Sequence, residues 1–518
     1  MPHTAHNIVV IMADQLSALT LGCYGNTEVI SPQIDALAAD GVRFAAAYSS
    51  SPLCTPARYA FMTGQHASVC GGYDNAAYLP ATMPTFAHYL RLMGYRTCLA
   101  GKMHFVGPDQ LHGFEERLTT DVYPADFGWV PDWDHPEQRI DLWYHNMSSV
   151  KQAGVAAITN QLGYDDLVGA ETLRAIYDHA RSPDPRPLCL VTSFINPHDP
   201  YAARRHYWDL YEGRTVSMPR VSRQPAAQTD PHNRRLEKAM ALDAVDISAA
   251  EVLAARRAYY ANVTYVDEWV GRIRATLRDC GLERETTLVL LSDHGDMLGE
   301  HGLWYKMSFR EGSCRIPLIV HRPDRYAARV VPQPVAQIDV LPTLLALAAE
   351  GGCAVPPPID PLHGTSLLPL CRGAAVDEAH VVISEYLAEG TGAPMLMLRR
   401  GAYKYICCPG DPEQLFDLGR DPDELDNLAG SPTELVRLED FRALAARHWN
   451  VEAVRASVLR EQRRRRAVSA ALRIGRYKAW DFDPKRDPSG EYTRSHLDLT
   501  RFDIESRYPR PALFEPRD

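Results

Sequence analysis

Ser51-Pro52-Leu53-Cys54-Thr55-Pro56-Ala57-Arg58-Tyr59-Ala60-Phe61-Met62-Thr63-Gly64 is the stretch from which the rest of the chain is read. Proline two residues after Cys54 suits the first turn of a helix, so a helix is predicted to begin at Cys54. The side chain at position 54 then sits beside free backbone N–H groups that favour an anion, with Arg58 one turn further on. A bare C-x-P-x-R pattern recurs by chance and by itself marks only a helix start. The Thr63-Gly64 ending and the early Asp14 set this copy apart.

On either side of that stretch, short apolar and β-branched runs recur: Asn7 to Met12, Thr97 to Ala100, Leu188 to Ile195, Thr286 to Leu291 and Pro317 to His321. They read as buried parallel strands. Amphipathic stretches between them, Pro32 to Ala39, Met83 to Leu92 and Ala254 to Cys280, are long enough to be crossover helices. The fold class expected is α/β, with a large mixed, mostly parallel sheet sandwiched by helices. Beyond Val355-Pro356-Pro357-Pro358 the pattern changes, and Val381 to Tyr386, Met395 to Arg399 and Lys404 to Cys408 read as a small antiparallel sheet. Three units are expected: 1–375 catalytic, 376–446 a small C-terminal domain, and 447–518 a helical and extended tail. The run Arg463 to Arg466 reads as a solvated helix face.

Composition narrows the function. The chain has 518 residues, 46% apolar, enough for one large core and an appendage. Lys and Arg total 55 against 65 Asp and Glu, a net charge of −10, so no nucleic-acid partner is expected. Met1 to His6 lack a basic n-region, and Ile8 to Ala13 is too short for a signal or a membrane span; a cytoplasmic protein without membrane contact is expected. The 11 cysteines form no C-x-x-C pair, and Cys23, Cys98, Cys189, Cys280 and Cys314 read as small buried hydrophobes.

Ser292-Asp293-His294-Gly295-Asp296 directly follows the strand run Thr286 to Leu291, and ligands at the carboxyl ends of strands are where open α/β sheets place their sites. With Cys54 to Arg58, and with Ile11-Met12-Ala13-Asp14-Gln15 followed by Gly22-Cys23-Tyr24-Gly25, the chain resembles the type I sulfatases of the alkaline phosphatase superfamily over nearly its whole length. In that family a separate formylglycine-generating enzyme oxidises the cysteine of C-x-P-x-R to formylglycine (3-oxoalanine). The resemblance implies one divalent metal held by Asp14, Asp293, His294 and an oxygen of modified Cys54. Such an oxygen-rich set with one nitrogen suits Ca2+, or Mn2+. Gln15, where many relatives carry a second Asp, stays outside that set. Gly101-Lys102-Met103-His104, Asn196-Pro197-His198-Asp199-Pro200 and Leu303-Trp304-Tyr305-Lys306 match further family motifs.

The family's chemistry implies the roles. A hydroxyl of the hydrated aldehyde attacks sulfur with Asp293 as base, and the second hydroxyl, deprotonated by His104, expels sulfate. Arg58, Lys102 and Lys306 stabilise charge on the sulfate oxygens, while His198 and Lys306 protonate the departing alkoxide.

Longer stretches resemble the choline-sulfatase branch: Tyr73 to Ala77, Gly101 to Leu118, Tyr123 to Trp129 and Trp143-Tyr144-His145-Asn146. The expected substrate is therefore choline sulfate. A quaternary ammonium offers no hydrogen-bond donor and is recognised by aromatic faces together with a carboxylate. Trp129, His145 and Glu389 match that pocket, and Asn75 matches a contact to the sulfate or its ester oxygen. Gly390-Thr391-Gly392 departs from the bulkier residues of relatives and predicts a wider or more flexible pocket wall. Glu413-Gln414-Leu415-Phe416-Asp417-Leu418, with Asp421-Pro422 and Asn427-Leu428, matches the family's second-domain signature. The tail resembles the oligomerisation extension of that branch, implying a homodimer or homotetramer. Three alternatives stand: a phosphonate monoester or phosphodiester hydrolase, a sulfatase for another small or aryl ester, and an unmodified, inactive choline-ester binding protein.

Overall fold

The computed structural model describes residues 6–136, 138, 145–225, 229–474 and 480. Asn7–Ala13, Leu188–Phe194 and Thr286–Leu291 are buried at every position and pair in parallel, Val9 lying opposite Leu190 on one side and Leu288 on the other. They are the centre of an eight-stranded sheet. Its order is Arg329–Val331, Val42–Phe44, Leu318–His321, Thr286–Leu291, Asn7–Ala13, Leu188–Phe194, Arg96–Gly101 and Glu116–Arg117. Side chains alternate between two cores, Val9 and Ile11 in one and Ile8, Val10 and Met12 in the other. Ala249–Asp279 and Asn160–Arg181 close the first core, and Phe86–Leu92 with Val340–Glu350 close the second. Helices on both faces explain why the central strands read as continuous apolar runs.

Two expectations change here. Leu318–His321 runs antiparallel to both neighbours, not parallel. The chain reaches it through the loop and short turn after Leu291, without the crossover helix that a parallel return requires. Cys23 is only half-buried, whereas Cys98, Cys189, Cys280 and Cys314 are buried.

Val382–Tyr386, Met395–Arg400, Tyr403–Cys407 and Gln414–Asp417 form a four-stranded antiparallel sheet in sequence order. Its inner face, Leu396, Leu398, Tyr405 and Leu415, packs on Leu438 and Phe441 of the helix Leu435–His448 and on Val458 of Val451–Leu472. The Glu385 N–H donates to the Ser50 carbonyl at 3.0 Å, docking this sheet on the segment that leads to Cys54.

The arginine run is not a uniformly solvated face. Arg465 is 6% exposed and grips Asp74 through both guanidinium nitrogens, at 2.5 and 2.8 Å. Arg463 pairs with Asp134, and Arg466 with Asp132. Sequence periodicity carries no sign of acidic partners more than 300 residues away. The expected tail contacts and the Trp143-Tyr144 match lie outside the described residues. Among the described residues, no helix is long and apolar enough to cross a membrane.

Candidate active site

Four strands of the large sheet deliver their carboxyl ends to one place. The ladder continues past them, with the Asp14 N–H on the Phe194 carbonyl and the Lys102 N–H on the Ser193 carbonyl, each at 3.0 Å. Cys54 begins the helix Cys54–Thr63, which ends at Gly64 in the left-handed region (φ 66°), as the Thr-Gly ending predicts. Cys54 is 1% exposed, with its Sγ 3.2 Å from His294 Nε2 and 4.0 Å from Asp14 Oδ1.

Asp14, Asp293, His294 and Cys54 turn one ligand atom each toward a common point, all within 4.8 Å of one another. His294 Nε2 is 4.0 Å from Asp14 Oδ1 and 3.8 Å from Asp293 Oδ2. Oxygens at about 2.3–2.6 Å from one Ca2+ stand roughly 3–4 Å apart, so the donor set fits a single divalent cation. His294 Nδ1 lies 3.1 Å from the Gly295 carbonyl, which fixes the ring and leaves Nε2 to face the centre. Gln15 is indeed turned away: its Oε1 accepts from Lys306 Nζ at 2.7 Å and its Nε2 donates to Asp296 at 2.6 Å.

Arg58 has a different task from the one expected. Its Nε donates to Asp293 at 2.9 Å, Nη2 to Asp14 at 3.0 Å, and Nη1 to the Lys102 carbonyl at 2.6 Å and to Ser193 Oγ at 3.0 Å. Four of five N–H groups are thus committed, and the guanidinium holds the two carboxylates in place. Lys102 Nζ also meets Asp14 and lies 4.5 Å from the centre of the Tyr123 ring. Burial pushes the Asp14 carboxyl up, yet Lys102, His198 and Arg58 hold it at about 2. Burial likewise raises the Cys54 thiol, and Lys102, Lys306 and His294 overcome it, bringing it well below the usual thiol range.

His104 is 1% exposed, in a left-handed turn (φ 59°) whose N–H groups, with that of Met103, donate to Asp121. Neither ring nitrogen has a partner at hydrogen-bonding geometry among the described residues. Burial lowers its pKa, and neighbouring Cys54 only partly offsets this.

Cys54, Asn75, Trp129, His145, His198, Lys306 and Glu389 line one cavity of about 230 Å3. The structure therefore brings together residues spread over more than 300 positions. Lys306 Nζ is 2.6 Å from His198 Nε2, and His198 Nδ1 is held by the Asp199 carbonyl at 2.8 Å. His145 stacks on Tyr305 with ring centres 4.3 Å apart, and Trp129 lies 5.2 Å from both Tyr123 and His104. Burial, then Lys306, lowers the His145 imidazole to about 4 despite Asp199. Asn75 Oδ1 accepts the Thr55 N–H at 3.1 Å, beside the first residue of the helix. Burial pushes the Glu389 carboxyl up to about 7, helped by Asp74 and Cys54 and opposed by Lys306.

After Glu389, Gly390 has φ 73°, and a side chain there would come within 2.7 Å of Leu236. Tyr123 and Asp199, which line the same cavity, were not singled out from the sequence, although both fall inside the motif stretches quoted for it. A larger cavity of about 530 Å3, with Glu28, Arg220, Arg256 and Arg310 on its walls, includes none of the residues singled out.

Residues 6–350 match the sulfatase family model, and this chain belongs to the sulfatase family. Residues 456–508 match the C-terminal model of the choline sulfatase enzyme, and 299–441 that of N-sulphoglucosamine sulphohydrolase. Over 510 residues the chain is 47% identical to the choline-sulfatase of Rhizobium meliloti (strain 1021), covering 97% of this chain and 98% of that one. It is 28% identical to an uncharacterised sulfatase of Escherichia coli (strain K12), covering 84% and 85%. Among solved structures, the phosphonate monoester hydrolase of Agrobacterium radiobacter superposes with a TM-score of 0.67 at 23% identity, covering 88% and 96%; at that identity the likeness concerns the fold.

Proposed function

We propose that this protein hydrolyses choline sulfate to choline and sulfate, with Cys54 converted to formylglycine by a maturation enzyme and one Ca2+ or Mn2+ held by Asp14, Asp293, His294 and position 54. The observation that carries the reading is the lining of one cavity, where cationic and reactive groups (Cys54, Lys306 and His198) meet aromatic and acidic ones (Trp129, Tyr123, His145 and Glu389). Such a cavity suits an anionic ester joined to an ammonium without N–H donors. The near-full-length likeness to a choline-sulfatase supports the same substrate.

The metal supplies Lewis acidity toward the sulfate oxygens, and hydrated formylglycine supplies two hydroxyls on one carbon, one to attack and one to restore the aldehyde. The chain's own residues do the rest. Arg58 fixes Asp14 and Asp293 in place, and Asp293 accepts a proton at the metal side. His104, a buried imidazole with no other partner among the described residues, takes a proton at the side of position 54. Lys102 and Lys306 offset the charge of the sulfate oxygens. Lys306 Nζ and His198 Nε2, in hydrogen-bond contact, deliver a proton to the choline oxygen. Glu389 with Trp129 and His145 holds the ammonium. The protein is proposed to act in the cytoplasm as a homodimer or homotetramer.

The test is product release from choline sulfate, 4-nitrophenyl sulfate and a phenyl phosphonate monoester at matched enzyme, with Ca2+ or Mn2+ supplied. A kcat/KM highest for choline sulfate is expected. Preference for the phosphonate or the aryl ester would overturn the substrate assignment.

A further inference from the structure

The helix Val451–Leu472 contributes no residue to the lining of the cavity, yet two of its side chains reach segments that do. Arg465 is buried and binds both oxygens of Asp74, which is 0% exposed. Asp74 in turn accepts the Ala76 N–H at 3.0 Å, closing the tight turn that carries Asn75. Asn75 faces the cavity and accepts the N–H of Thr55, the residue after the nucleophile. Gln462 Oε1 accepts the Trp133 N–H at 2.9 Å, and Trp133 Nε1 donates to the Ala388 carbonyl at 2.9 Å, next to Glu389. One helix is therefore tied by hydrogen bonds to two segments that line the cavity.

Resting on the function proposed above, we propose that Arg465 is a positioning residue for the reaction: through Asp74 it sets Asn75 and the start of the Cys54 helix. Fork geometry matters, because a planar guanidinium engages two carboxylate oxygens at once and a lysine ammonium does not. Loss of Arg465 also leaves Asp74, which is 0% exposed, uncompensated inside the protein.

The experiment uses the full chain. Arg465→Ala and Arg465→Lys are purified, conversion of Cys54 is quantified by mass spectrometry, and kcat and KM are measured per converted site on choline sulfate and 4-nitrophenyl sulfate. Melting temperatures are recorded alongside. Expected is a fall in kcat of about tenfold or more on both esters for Arg465→Ala, of the size that displacement of a reacting group by a fraction of an ångström produces, and a smaller fall for Arg465→Lys. KM for both esters stays within about twofold, so the loss falls on kcat. A merely structural role would lower the melting temperature without that split between kcat and KM. If Arg465→Ala does not fold, Arg465→Lys, which keeps the charge, decides. A per-site kcat within about twofold of wild type on both esters, in every variant that folds, overturns the proposal. Should the wild type prefer a different ester, the substrate assignment fails separately, and the same comparison on that ester still decides the role of Arg465.

Discussion

Replacing Glu389 with glutamine should make the ligand-free protein more stable and a poorer enzyme for choline sulfate. Burial, reinforced by Asp74 and Cys54 against Lys306, moves its carboxyl from 4.5 to about 7. Each pKa unit is about 1.4 kcal/mol, so the native state disfavours the ionised carboxylate by about 3 kcal/mol at pH 8. The sign follows from proton counting. Between the unfolded value of 4.5 and the folded value of about 7, the unfolded chain has released this proton and the native protein has not. Stability therefore falls as pH rises through that window and levels off above it. Glutamine carries no such charge. The stabilisation of Glu389→Gln over wild type should be near zero at pH 4.5 and grow to as much as about 3 kcal/mol at pH 8, measured by urea unfolding of the ligand-free proteins. Activity should move oppositely. About a tenth of the wild-type sites carry the carboxylate at pH 6 and about nine-tenths at pH 8, so KM for choline sulfate should fall roughly tenfold across that interval. KM for 4-nitrophenyl sulfate should lack this component, and the variant should lose it for choline sulfate. A variant no more stable than wild type at pH 8, with an unchanged pH dependence of KM, would refute the reasoning.

Arg58→Ala removes the cation shared by two fully buried carboxylates and should destabilise the metal-free protein by about 3–5 kcal/mol, with part of the loss recovered on adding Ca2+ in a thermal melt. For His198→Ala, kcat should drop far more on choline sulfate than on 4-nitrophenyl sulfate, because a choline alkoxide needs a proton to leave and a nitrophenolate does not; equal losses would argue against proton delivery by the Lys306–His198 pair. Prolonged chelation should abolish turnover, and Ca2+ or Mn2+ should restore it, with metal content read by elemental analysis.

Much of the fold was legible because apolar runs buried on both faces are a local signal, and Thr286–Leu291 matches its expected bounds at both ends. Site residues that directly follow strands, Asp14, Lys102 and Asp293, were legible for the same reason. What the sequence does not encode locally was missed. The direction of Leu318–His321 depends on the path of a loop, not on hydrophobic pattern. The partners of Arg58 depend on where four acceptors from four other segments converge. Leu236 packs against Gly390, and Arg465 is paired with Asp74, in both cases across more than 100 residues.

The most direct test couples chemistry at position 54 to turnover: the tryptic peptide containing Cys54 is weighed by mass spectrometry in preparations made with and without the formylglycine-generating enzyme, and sulfate release from choline sulfate is measured on each. The account predicts that activity scales with the fraction converted from thiol to aldehyde and vanishes in Cys54→Ala while the fold persists. Undiminished turnover by protein carrying only the thiol, or by Cys54→Ala, would contradict it.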